Sequence, residues 1–291
     1  MKVAVISGKG GSGKSSVTAA FIDLSARVVA VDCDVDASNL PLLFPHQKTE
    51  EEPFVSGLQL SVDPDVCIGC GRCIARCRNT ALQRNEAGKA KPNKFLCEGC
   101  GLCLKVCPVH AISLKEEAES HIYVSTFSKG KMVHGNLCPG DDNSGKMIAR
   151  IRHIADETQL QEGVDLQILD GPPGIGCPVL STVTGMDTVV IVTEPTRSGM
   201  SDLQRAARVA SSYCQDLRIV INKCDLNPVN TGALRSLCAG KGWPVLAELP
   251  FDRRLVEAQL QCQSIIDYAP DSPCSQSLRQ AYQALIGADR A

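Results

Sequence analysis

The chain has 291 residues and a formal net charge of −2, so it is long enough for one large or two modest domains and has no basic field to attract nucleic acid or anionic lipid. No apolar run approaches the roughly 20 residues that cross a bilayer, and no secretory pattern precedes the first glycine loop. We therefore expect a soluble, cytoplasmic protein with no nucleic-acid partner and no stable membrane insertion. Sixteen cysteines in such a chain favour metal ligation over a disulfide framework.

Short apolar runs that alternate with helical stretches predict an α/β fold. A strand is predicted at 2–7, a helix at 14–25, a second strand at 27–34 and a polar connector at 45–56. After a cysteine-rich block, strands are predicted at 122–127, 166–170, 188–195, 217–223 and 244–250, and helices at 144–160, 200–214 and 229–240. This alternation predicts a mostly parallel sheet with helices on both faces. Because it continues beyond the cysteines, residues 1–60 and 115–291 are predicted to form one discontinuous domain, with 61–114 inserted.

The cysteine-rich block contains an internal repeat. The segment "CIGCGRCIARCRNTAL" (67–82) matches "CEGCGLCLKVCPVHAI" (97–112) in cysteine spacing. Each half reads C-x2-C-x2-C-x3-C, in which three thiolates bind one [4Fe–4S] cluster and the fourth binds the other cluster. This logic assigns Cys67, Cys70, Cys73 and Cys107 to one cluster, and Cys97, Cys100, Cys103 and Cys77 to the other.

Zinc is the alternative for these cysteines, since C-x2-C pairs also make zinc sites. Zinc would not need the third and fourth cysteine of each half. The block resembles bacterial two-cluster ferredoxins over about 50 residues, with one departure: Arg78 stands where Pro108 stands in the second half. The resemblance implies a small α+β domain with two [4Fe–4S] clusters.

The segment "GKGGSGKS" (8–15) fits the phosphate-binding pattern G-x-x-x-x-G-K-[ST] between a predicted strand and a predicted helix. Its backbone amides would cradle phosphate, Lys14 would neutralise it and Ser15 would ligate Mg²⁺. A chance glycine-rich loop is the alternative. The predicted nucleotide-binding residues are Gly8, Gly10, Gly11, Ser12, Gly13, Lys14, Ser15 and Ser16.

The early lysine of this loop, Lys9, resembles that of the deviant Walker A ATPases of the MinD/ParA type and the nitrogenase iron protein. The resemblance implies an ATP-dependent dimer in which Lys9 reaches the partner's phosphates; a solvent-facing lysine is the alternative. In the same family, "VDCDVDASNL" (31–40) resembles the first switch and "ILDGPPG" (168–174) the second. The implied roles are orientation of the attacking water by Asp34 and Mg²⁺ binding by Asp170, and Asn222 in "VINKCD" is predicted to contact adenine. Buried or capping carboxylates are the alternative for the two aspartates.

The motifs "CDVDASNL", "GDDNSGK", "DGPPGIGCPV" and "VTEPTRSG", with the inserted cysteine block, narrow the resemblance to MinD-superfamily P-loop ATPases that contain a ferredoxin domain. It implies ATP and Mg²⁺ as ligands and a dimer with itself or with a paralogous ATPase of the same kind. It also implies a redox or cluster-accepting partner, among them small proteins related to nitrogenase cofactor-carrying domains.

Cys177 lies seven residues after Asp170, an offset that the nitrogenase iron protein uses for a cluster shared between two subunits. Cys138 is a candidate second thiolate, so a third, bridging [4Fe–4S] cluster is a hypothesis. A small core residue or a transient ligand is the alternative for Cys177.

Three functions fit these motifs. The leading one is slow, partner-dependent ATP hydrolysis by a dimer that delivers electrons through its clusters. The second is an ATP-dependent factor that assembles or carries an iron–sulfur or heterometal cluster. The third is a spatial organiser of the MinD/ParA type. A C-terminal membrane helix would serve such a function, and the tail (272–291), with little clustered positive charge, supports it only weakly.

Overall fold

The structure is a computed structural model that describes residues 1–55, 57–116, 120–138 and 143–287, with Lys94 described by its backbone alone. Residues 140–142 of the predicted motif "GDDNSGK" and the last four residues of the tail lie outside this range.

The strands are β1 (Lys2–Ser7), β2 (Val28–Asp32), β3 (His46–Phe54), β4 (Leu58–Val62), β5 (Leu82–Arg84), β6 (Ala90–Pro92), β7 (Ile112–Glu116), β8 (Ser120–Phe127), β9 (Gly130–Asn136), β10 (Gln167–Pro173), β11 (Thr188–Thr193), β12 (Asp216–Asn222) and β13 (Val245–Leu249).

The α-helices are α1 (Lys14–Leu24), α2 (Leu40–Leu43), α3 (Arg72–Arg76), α4 (Leu102–Val106), α5 (Ser144–Glu162), α6 (Cys177–Val183), α7 (Arg197–Ala210), α8 (Pro228–Lys241), α9 (Arg254–Leu260), α10 (Ile265–Tyr268) and α11 (Pro273–Gly287).

The described chain divides into two compact units. The first, here the ATPase unit, comprises 1–51, 122–136 and 145–287, and the second, the cysteine unit, comprises 52–121 and 137–144, apart from the residues not described. The cysteine unit thus extends beyond the predicted insertion 61–114 on both sides and includes a later segment of the chain. The exact bounds of an independently folding insertion stay a prediction.

The ATPase unit is built on a nine-stranded sheet in the order β13-β12-β11-β1-β10-β2-β9-β8-β3. The seven strands from β13 to β9 pair in parallel. The central strands are buried along their whole length and mostly apolar because both faces are covered, as β2 and β11 illustrate. The predicted α/β class with a large, mostly parallel sheet is confirmed. All carboxyl ends of the parallel strands meet at one edge, where α/β sheets bind ligands.

The polar connector predicted at 45–56 is wrong, because residues 46–54 form β3 at the edge of this sheet. Five consecutive residues of β3, 47–51, are exposed, so the strand lacks the apolar alternation by which strands are recognised. Charged side chains on an edge strand also oppose pairing with another chain. Strand β9, which contains two glycines and three polar or charged side chains, was not predicted either.

The cysteine unit contains two small antiparallel sheets, β4–β7 and β5–β6, together with α3 and α4. Its buried core is small and consists of Leu60, Cys73, Leu82, Ala90 and Ile112, with further cysteines packed against it.

Among the described residues, no helix combines the length and the apolar composition that a membrane span requires.

Candidate functional site

The phosphate loop joins β1 to α1 in the ATPase unit and depends on glycine at two tight places. Gly13 has φ +93°, and a Cβ there would lie 2.2 Å from Asn222 Nδ2. A Cβ on Gly8 would lie 2.4 Å from Asp202 Cβ. By contrast, Cβ atoms on Gly10 and Gly11 would meet nothing within 4 Å. The loop is therefore closely packed on the protein side and open on the other side, as a cradle for phosphate requires.

Lys14, the first residue of α1, lies at the centre of a buried charge network. Its Nζ is 2.9 Å from Asp170 Oδ1 and 3.6 Å from Asp34 Oδ2. Ser15 Oγ donates to Asp170 Oδ2 at 2.6 Å, and Thr18 Oγ1 donates to Asp170 Oδ1 at 2.8 Å. Burial works to lower the pKa of Lys14, but the charge of Asp170 and the hydrogen bond to it outweigh burial and raise that pKa. The ammonium therefore stays charged.

The structure thus brings together the predicted lysine, the predicted Mg²⁺ ligands and the predicted water-orienting aspartate. Asp170 comes from β10, whereas Asp34 follows β2, the next strand of the sheet. Burial, followed by the charge of Asp170, raises the pKa of Asp34, although Lys14 opposes the shift. Asp36, on the same loop as Asp34, lines the open cavity over the phosphate loop that is described below. The individual catalytic roles of these residues stay predictions.

Asp32 is a residue that the motifs did not single out. Its carboxylate is fully buried and accepts four hydrogen bonds, from the backbone N–H groups of Asp34, Asn39 and Leu40 and from Ser38 Oγ, at 2.9–3.0 Å. Burial and the nearby charge of Asp170 raise the pKa of Asp32 to about 7. Asp32 fixes the loop that carries Asp34, since one carboxylate holds both ends of that loop.

Lys9 extends away from the network around Lys14. Its Nζ is 2.5 Å from Glu194 Oε1, and Lys223 Nζ is 3.1 Å from Glu194 Oε2. Lys223 Nζ also donates to the Gly11 carbonyl at 3.2 Å. Burial alone would raise the pKa of Glu194, but hydrogen bonds and charge from both lysines lower it. Glu194 therefore holds Lys9 and, through Lys223, the loop itself.

Asn222, predicted to contact adenine, is buried at the end of β12. Its Nδ2 donates to the Ser12 carbonyl at 2.8 Å, and its Oδ1 accepts from the Lys223 N–H at 2.9 Å. In this structure both ends of the amide are engaged with the protein. The contact with adenine stays a prediction, and the observed role is support of the phosphate loop.

An open cavity of about 650 Å³ lies over this region. It is lined by phosphate-loop residues, the loop after β2, prolines at the end of β10 and in α6, and Gln259 of α9, whose amide donates to Ser16 Oγ at 2.9 Å. Ser12 Oγ is buried and has no hydrogen-bond partner among the described residues. An unpaired hydroxyl in a glycine cradle with a charged lysine suits phosphate oxygens, and Ser15 with Asp170 supplies the hard oxygen donors that Mg²⁺ prefers. The site fits ATP and Mg²⁺.

In the cysteine unit, the eight repeat cysteines line two separate cavities in the interleaved sets that the spacing predicted. One cavity, of about 20 Å³, is lined by Cys67, Cys70, Cys73 and Cys107. The other, of about 290 Å³, is lined by Cys77, Cys97, Cys100 and Cys103. Each set takes three cysteines from one half of the repeat and one from the other.

The two halves of the repeat have the same backbone conformation. Gly71 (φ 75°, ψ 0°) precedes α3, and Gly101 (φ 74°, ψ 1°) precedes α4. Cys77 and Cys107 follow these helices with φ and ψ equal within 1°. The left-handed glycines turn the chain tightly between ligands, a position where other residues are strained. The duplication in the sequence therefore extends to the local structure.

Backbone N–H groups point at several of the sulfurs. The N–H of Ala81 donates to Cys77 Sγ, and that of Ala111 donates to Cys107 Sγ, both at 3.3 Å. Backbone hydrogen bonds from Ala90 and Gly69 lower the pKa of Cys67, whereas burial raises the pKa of Cys73 and of Cys103. Donors that stabilise thiolates are the environment that cluster ligands use. Among the described residues, no three His, Cys, Asp or Glu side chains gather closely enough to hold a single metal ion.

Cys177 and Cys138 belong to different units. Cys177 is exposed at the first position of α6 in the ATPase unit. Cys138 is half-buried in the cysteine unit, and its N–H donates to Ser120 Oγ at 2.9 Å. A cluster bound by these two thiolates stays a prediction.

Comparison with known proteins agrees with the fold and the nucleotide site. Residues 3–265 match the family model of the CobQ/CobB/MinD/ParA nucleotide binding domain. The chain is 33% identical to the uncharacterized protein MJ0578 of Methanocaldococcus jannaschii, over 98% of this chain and 96% of the relative. It is 27% identical to MJ0579 of the same organism, over 92% of each.

Among solved structures, the chain is similar to the septum site-determining protein MinD of Pyrococcus horikoshii, complexed with Mg-ADP, with a TM-score of 0.60. The similarity covers 100% of this chain and 98% of that one, at 15% identity, and therefore concerns the fold. Family match, fold and phosphate-loop geometry agree, and the chain belongs to the CobQ/CobB/MinD/ParA family of nucleotide-binding P-loop proteins.

Proposed function

We propose that this protein is an ATPase whose ATP-dependent dimer cycle controls electron transfer to a partner protein through two [4Fe–4S] clusters. The observation that carries the proposal is the sorting of eight cysteines into two cavities, four in each, within a chain that also carries a P-loop site. The donor chemistry fits iron–sulfur clusters, because each cavity is lined by four cysteines and several sulfurs accept backbone N–H bonds.

ATP hydrolysis is assigned to the network around Lys14. The amides of the phosphate loop and Lys14 would bind the β- and γ-phosphates, and Ser15 with Asp170 would hold Mg²⁺. Asp34, 3.6 Å from the Lys14 ammonium, would orient the attacking water. A fixed ammonium placed where charge develops stabilises the transition state for phosphoryl transfer.

Dimerisation is proposed from Lys9. In the free chain Lys9 is paired with Glu194, so its side chain is not committed to the phosphate loop of its own subunit. Reaching a second subunit requires that this ion pair open. The dimer would form with a second copy or with a paralogue, and M. jannaschii contains two relatives that each match more than nine-tenths of this chain.

The clusters supply one-electron chemistry when they are bound. Cys67, Cys70, Cys73 and Cys107 would hold one of them, and Cys77, Cys97, Cys100 and Cys103 the other. Cys70 and Cys100 are exposed, so one thiolate of each set lies at the surface, where a redox partner can approach. Electron delivery restricted to the ATP-bound dimer would explain why one chain needs both sites.

The test is steady-state ATP hydrolysis on anaerobically purified protein, first oxidised and then reduced with dithionite, with iron and sulfide measured on the same sample. We expect about eight irons per chain and a rate that changes with redox state. Cys97→Ser should lower the iron content and weaken the redox dependence. Cys262→Ser, at an exposed cysteine outside both cavities, is the matched control and should behave as the wild type. Equal rates in both redox states would contradict the coupling.

A second candidate is cluster assembly, in which ATP drives transfer of a cluster to a target. One observation favours cluster assembly. Cys177 is exposed, and it lies shortly after β10, the strand that carries Asp170. This function requires iron that moves to an acceptor protein in the presence of ATP and that is lost in Cys177→Ser. Iron content and transfer unchanged in Cys177→Ser would exclude this site.

Spatial organisation is the third candidate. The solved structure of MinD supports it through the fold alone. Co-sedimentation of the protein with vesicles that contain anionic lipid, with and without ATP, distinguishes spatial organisation from electron transfer and cluster assembly. Binding that requires ATP would favour it.

A further inference from the structure

We propose that Arg72, Arg76 and Arg78 form a docking surface for an acidic redox protein, beside the cavity lined by Cys77, Cys97, Cys100 and Cys103. The inference rests on the proposed function and deepens it, because it names the chemistry of the partner and the cavity from which electrons leave. The three arginines are called the arginine surface below.

The two halves of the repeat differ in charge at these positions, as they also do at Ile68 and Glu98 and at Ala75 and Lys105. A shift of 30 residues aligns Arg72 with Leu102, Arg76 with Val106 and Arg78 with Pro108. The backbone is the same in both halves, so the fold of the repeat does not require arginine there. Three apolar positions of one half are thus occupied by cations in the other.

The arginines lie at the surface and are not used within the protein. All three are exposed, and in the described part of the chain none of them forms a hydrogen bond or an ion pair with another residue. Arg84 provides the contrast, since its guanidinium donates to the carbonyls of Gly69 and Gly88 at 2.8 and 2.7 Å. Unpaired exposed guanidinium groups are free to pair with carboxylates of another protein.

Two of the three cations line the larger of the two cavities, and Arg72 lines neither. Arg76 and Arg78 flank Cys77 and line the larger cavity, together with the single carboxylate of Glu98. Among the described residues, no lysine, arginine, aspartate or glutamate side chain lines the smaller cavity. A partner with an acidic surface would therefore be oriented towards the cavity that Cys77 lines, where a cluster would be held.

The surroundings have the composition of a protein interface. Leu96 and Leu102 line the larger cavity and are each 41% exposed, and the neighbouring Phe95 is 60% exposed. Apolar and aromatic side chains interspersed with arginine are typical of the centre of protein interfaces. A small anion would be bound by the charge alone and would gain nothing from these apolar groups, so a protein is the occupant.

The redox step itself is a one-electron transfer. A reduced cluster held by Cys77, Cys97, Cys100 and Cys103 would supply one electron, which would reduce an acceptor group of the partner such as a flavin. No bond in this chain is formed or broken.

The experiment compares the triple variant R72Q/R76Q/R78Q with the matched control K91Q/K105Q/K115Q. The control removes three exposed cations of the same unit that do not line the larger cavity. Both variants have the same net charge. The probes are an acidic flavodoxin and, as a counter-probe, basic cytochrome c, each mixed anaerobically with dithionite-reduced protein after removal of excess reductant.

We expect the second-order rate constant with flavodoxin to fall about tenfold at low salt in the arginine variant, and to change little in the lysine control. The difference in rate between the two variants should vanish at about 0.5 M salt, where charges are screened within a few ångströms. With cytochrome c the rate should stay unchanged or rise. Equilibrium binding of flavodoxin to the oxidised protein, followed by flavin fluorescence, should weaken in parallel, and this readout requires no electron transfer.

Two outcomes would overturn the inference alone, provided that the protein contains about eight irons per chain. One is that the wild type and the arginine variant have equal rates and equal flavodoxin affinity. The other is that the rate and the affinity fall equally in both triple variants. Protein that purifies anaerobically without iron would overturn the proposed function, and the inference with it.

Discussion

Lys9 and Lys14 belong to the same loop, yet their surroundings give them different tasks. Lys14 is buried and held by Asp170 and Asp34, whereas Lys9 is about one-third exposed and is held by Glu194. Any ATP-dependent use of Lys9 in a second subunit must break its ion pair with Glu194. Exposed pairs are typically worth 0–1 kcal/mol, and the partial burial of Glu194 both strengthens its attraction to Lys9 and adds a desolvation cost.

Glu194→Gln should therefore favour the dimer. We expect half-maximal dimerisation at a threefold to tenfold lower ATP concentration, because a neutral amide holds the Lys9 ammonium less strongly. Analytical ultracentrifugation across an ATP series measures this. Glu248→Gln, which removes another ion-paired carboxylate of the ATPase unit, is the control. Dimerisation of Glu194→Gln at the wild-type ATP concentration would show that the pair does not oppose it.

His134 on β9 makes the stability of the ATPase unit depend on pH. Burial, with the charges of His46 and Lys48, lowers the pKa of His134 to about 4. Its Nε2 lies 3.2 Å from Ser125 Oγ, within hydrogen-bond distance. The unfolded chain has the ordinary histidine pKa near 6.5, so between pH 6.5 and 4 it binds more protons than the folded chain. The stabilisation from neutral His134 is present above about pH 6.5 and is lost as the pH falls towards 4.

This effect amounts to at most about 3 kcal/mol, from a shift of roughly 2.5 units. Urea unfolding of His134→Asn should show a shallower decline of the unfolding free energy between pH 7 and 4.5 than the wild type. His153→Asn, at a histidine that is 61% exposed on α5, should keep the wild-type slope. The same slope in all three proteins would contradict the assignment.

At the scale of elements, the phosphate loop is fixed by contacts from β12 as much as by its own glycines. Asn222 and Lys223 hydrogen-bond to the carbonyls of Ser12 and Gly11. This support leaves no room for a side chain at Gly13, which also has a left-handed backbone.

Gly13→Ala should destabilise the nucleotide-free protein by roughly 2 to 4 kcal/mol, from left-handed strain and overlap with the Asn222 amide. Gly10→Ala is the matched control, because a Cβ there meets nothing within 4 Å, and its effect should stay within about 0.5 kcal/mol. Thermal and urea unfolding compare the two variants. Equal losses in both would mean that the loop is not clamped at Gly13.

At the scale of the whole molecule, the two units differ in how they are stabilised. The core of the ATPase unit extends through the sheet and the helices around it. The hydrophobic cluster of the cysteine unit comprises five buried residues among those described, and domains this small usually need a metal or another cross-link to stay folded. If the clusters supply that cross-link, their removal should affect one unit selectively.

We expect protein stripped of iron by anaerobic chelation to lose amide hydrogen-exchange protection at 58–114 and to keep it in the central strands of the ATPase unit. ATP binding should persist. Lys14→Gln is the reciprocal variant, since it should lose ATP binding and keep its iron. Uniform loss of protection across both units would contradict separate stabilisation.

Features that depend on short spacing were predictable. The phosphate loop occupies eight consecutive residues. Each set of four cysteines comes from the two halves of the repeat, which have the same cysteine spacing. Backbone geometry within such segments is local, so residue type and spacing determine what they can bind. The interleaved assignment of Cys77 and Cys107 followed from the same reasoning, and the cavities contain those sets.

Features that depend on charges distant in the chain were not predictable. Asp32 and Asp34 stand two residues apart in one motif, but Asp32 is fully buried and holds the loop that carries Asp34. No motif marks Glu194 as the partner of Lys9. Strand β3 was missed because its exposed polar side chains follow from its place at the edge of the sheet, which the local sequence does not specify.

By itself the sequence determined the fold class, the phosphate loop and the two cysteine sets, because each rests on local periodicity or spacing. Only the tertiary structure decided which carboxylate holds which lysine, and that the Asn222 amide supports a carbonyl 210 residues away. The reason is physical: pairing and burial arise where strands distant in the chain end at the same edge of the sheet. The energies of those contacts depend on neighbours that no local segment contains.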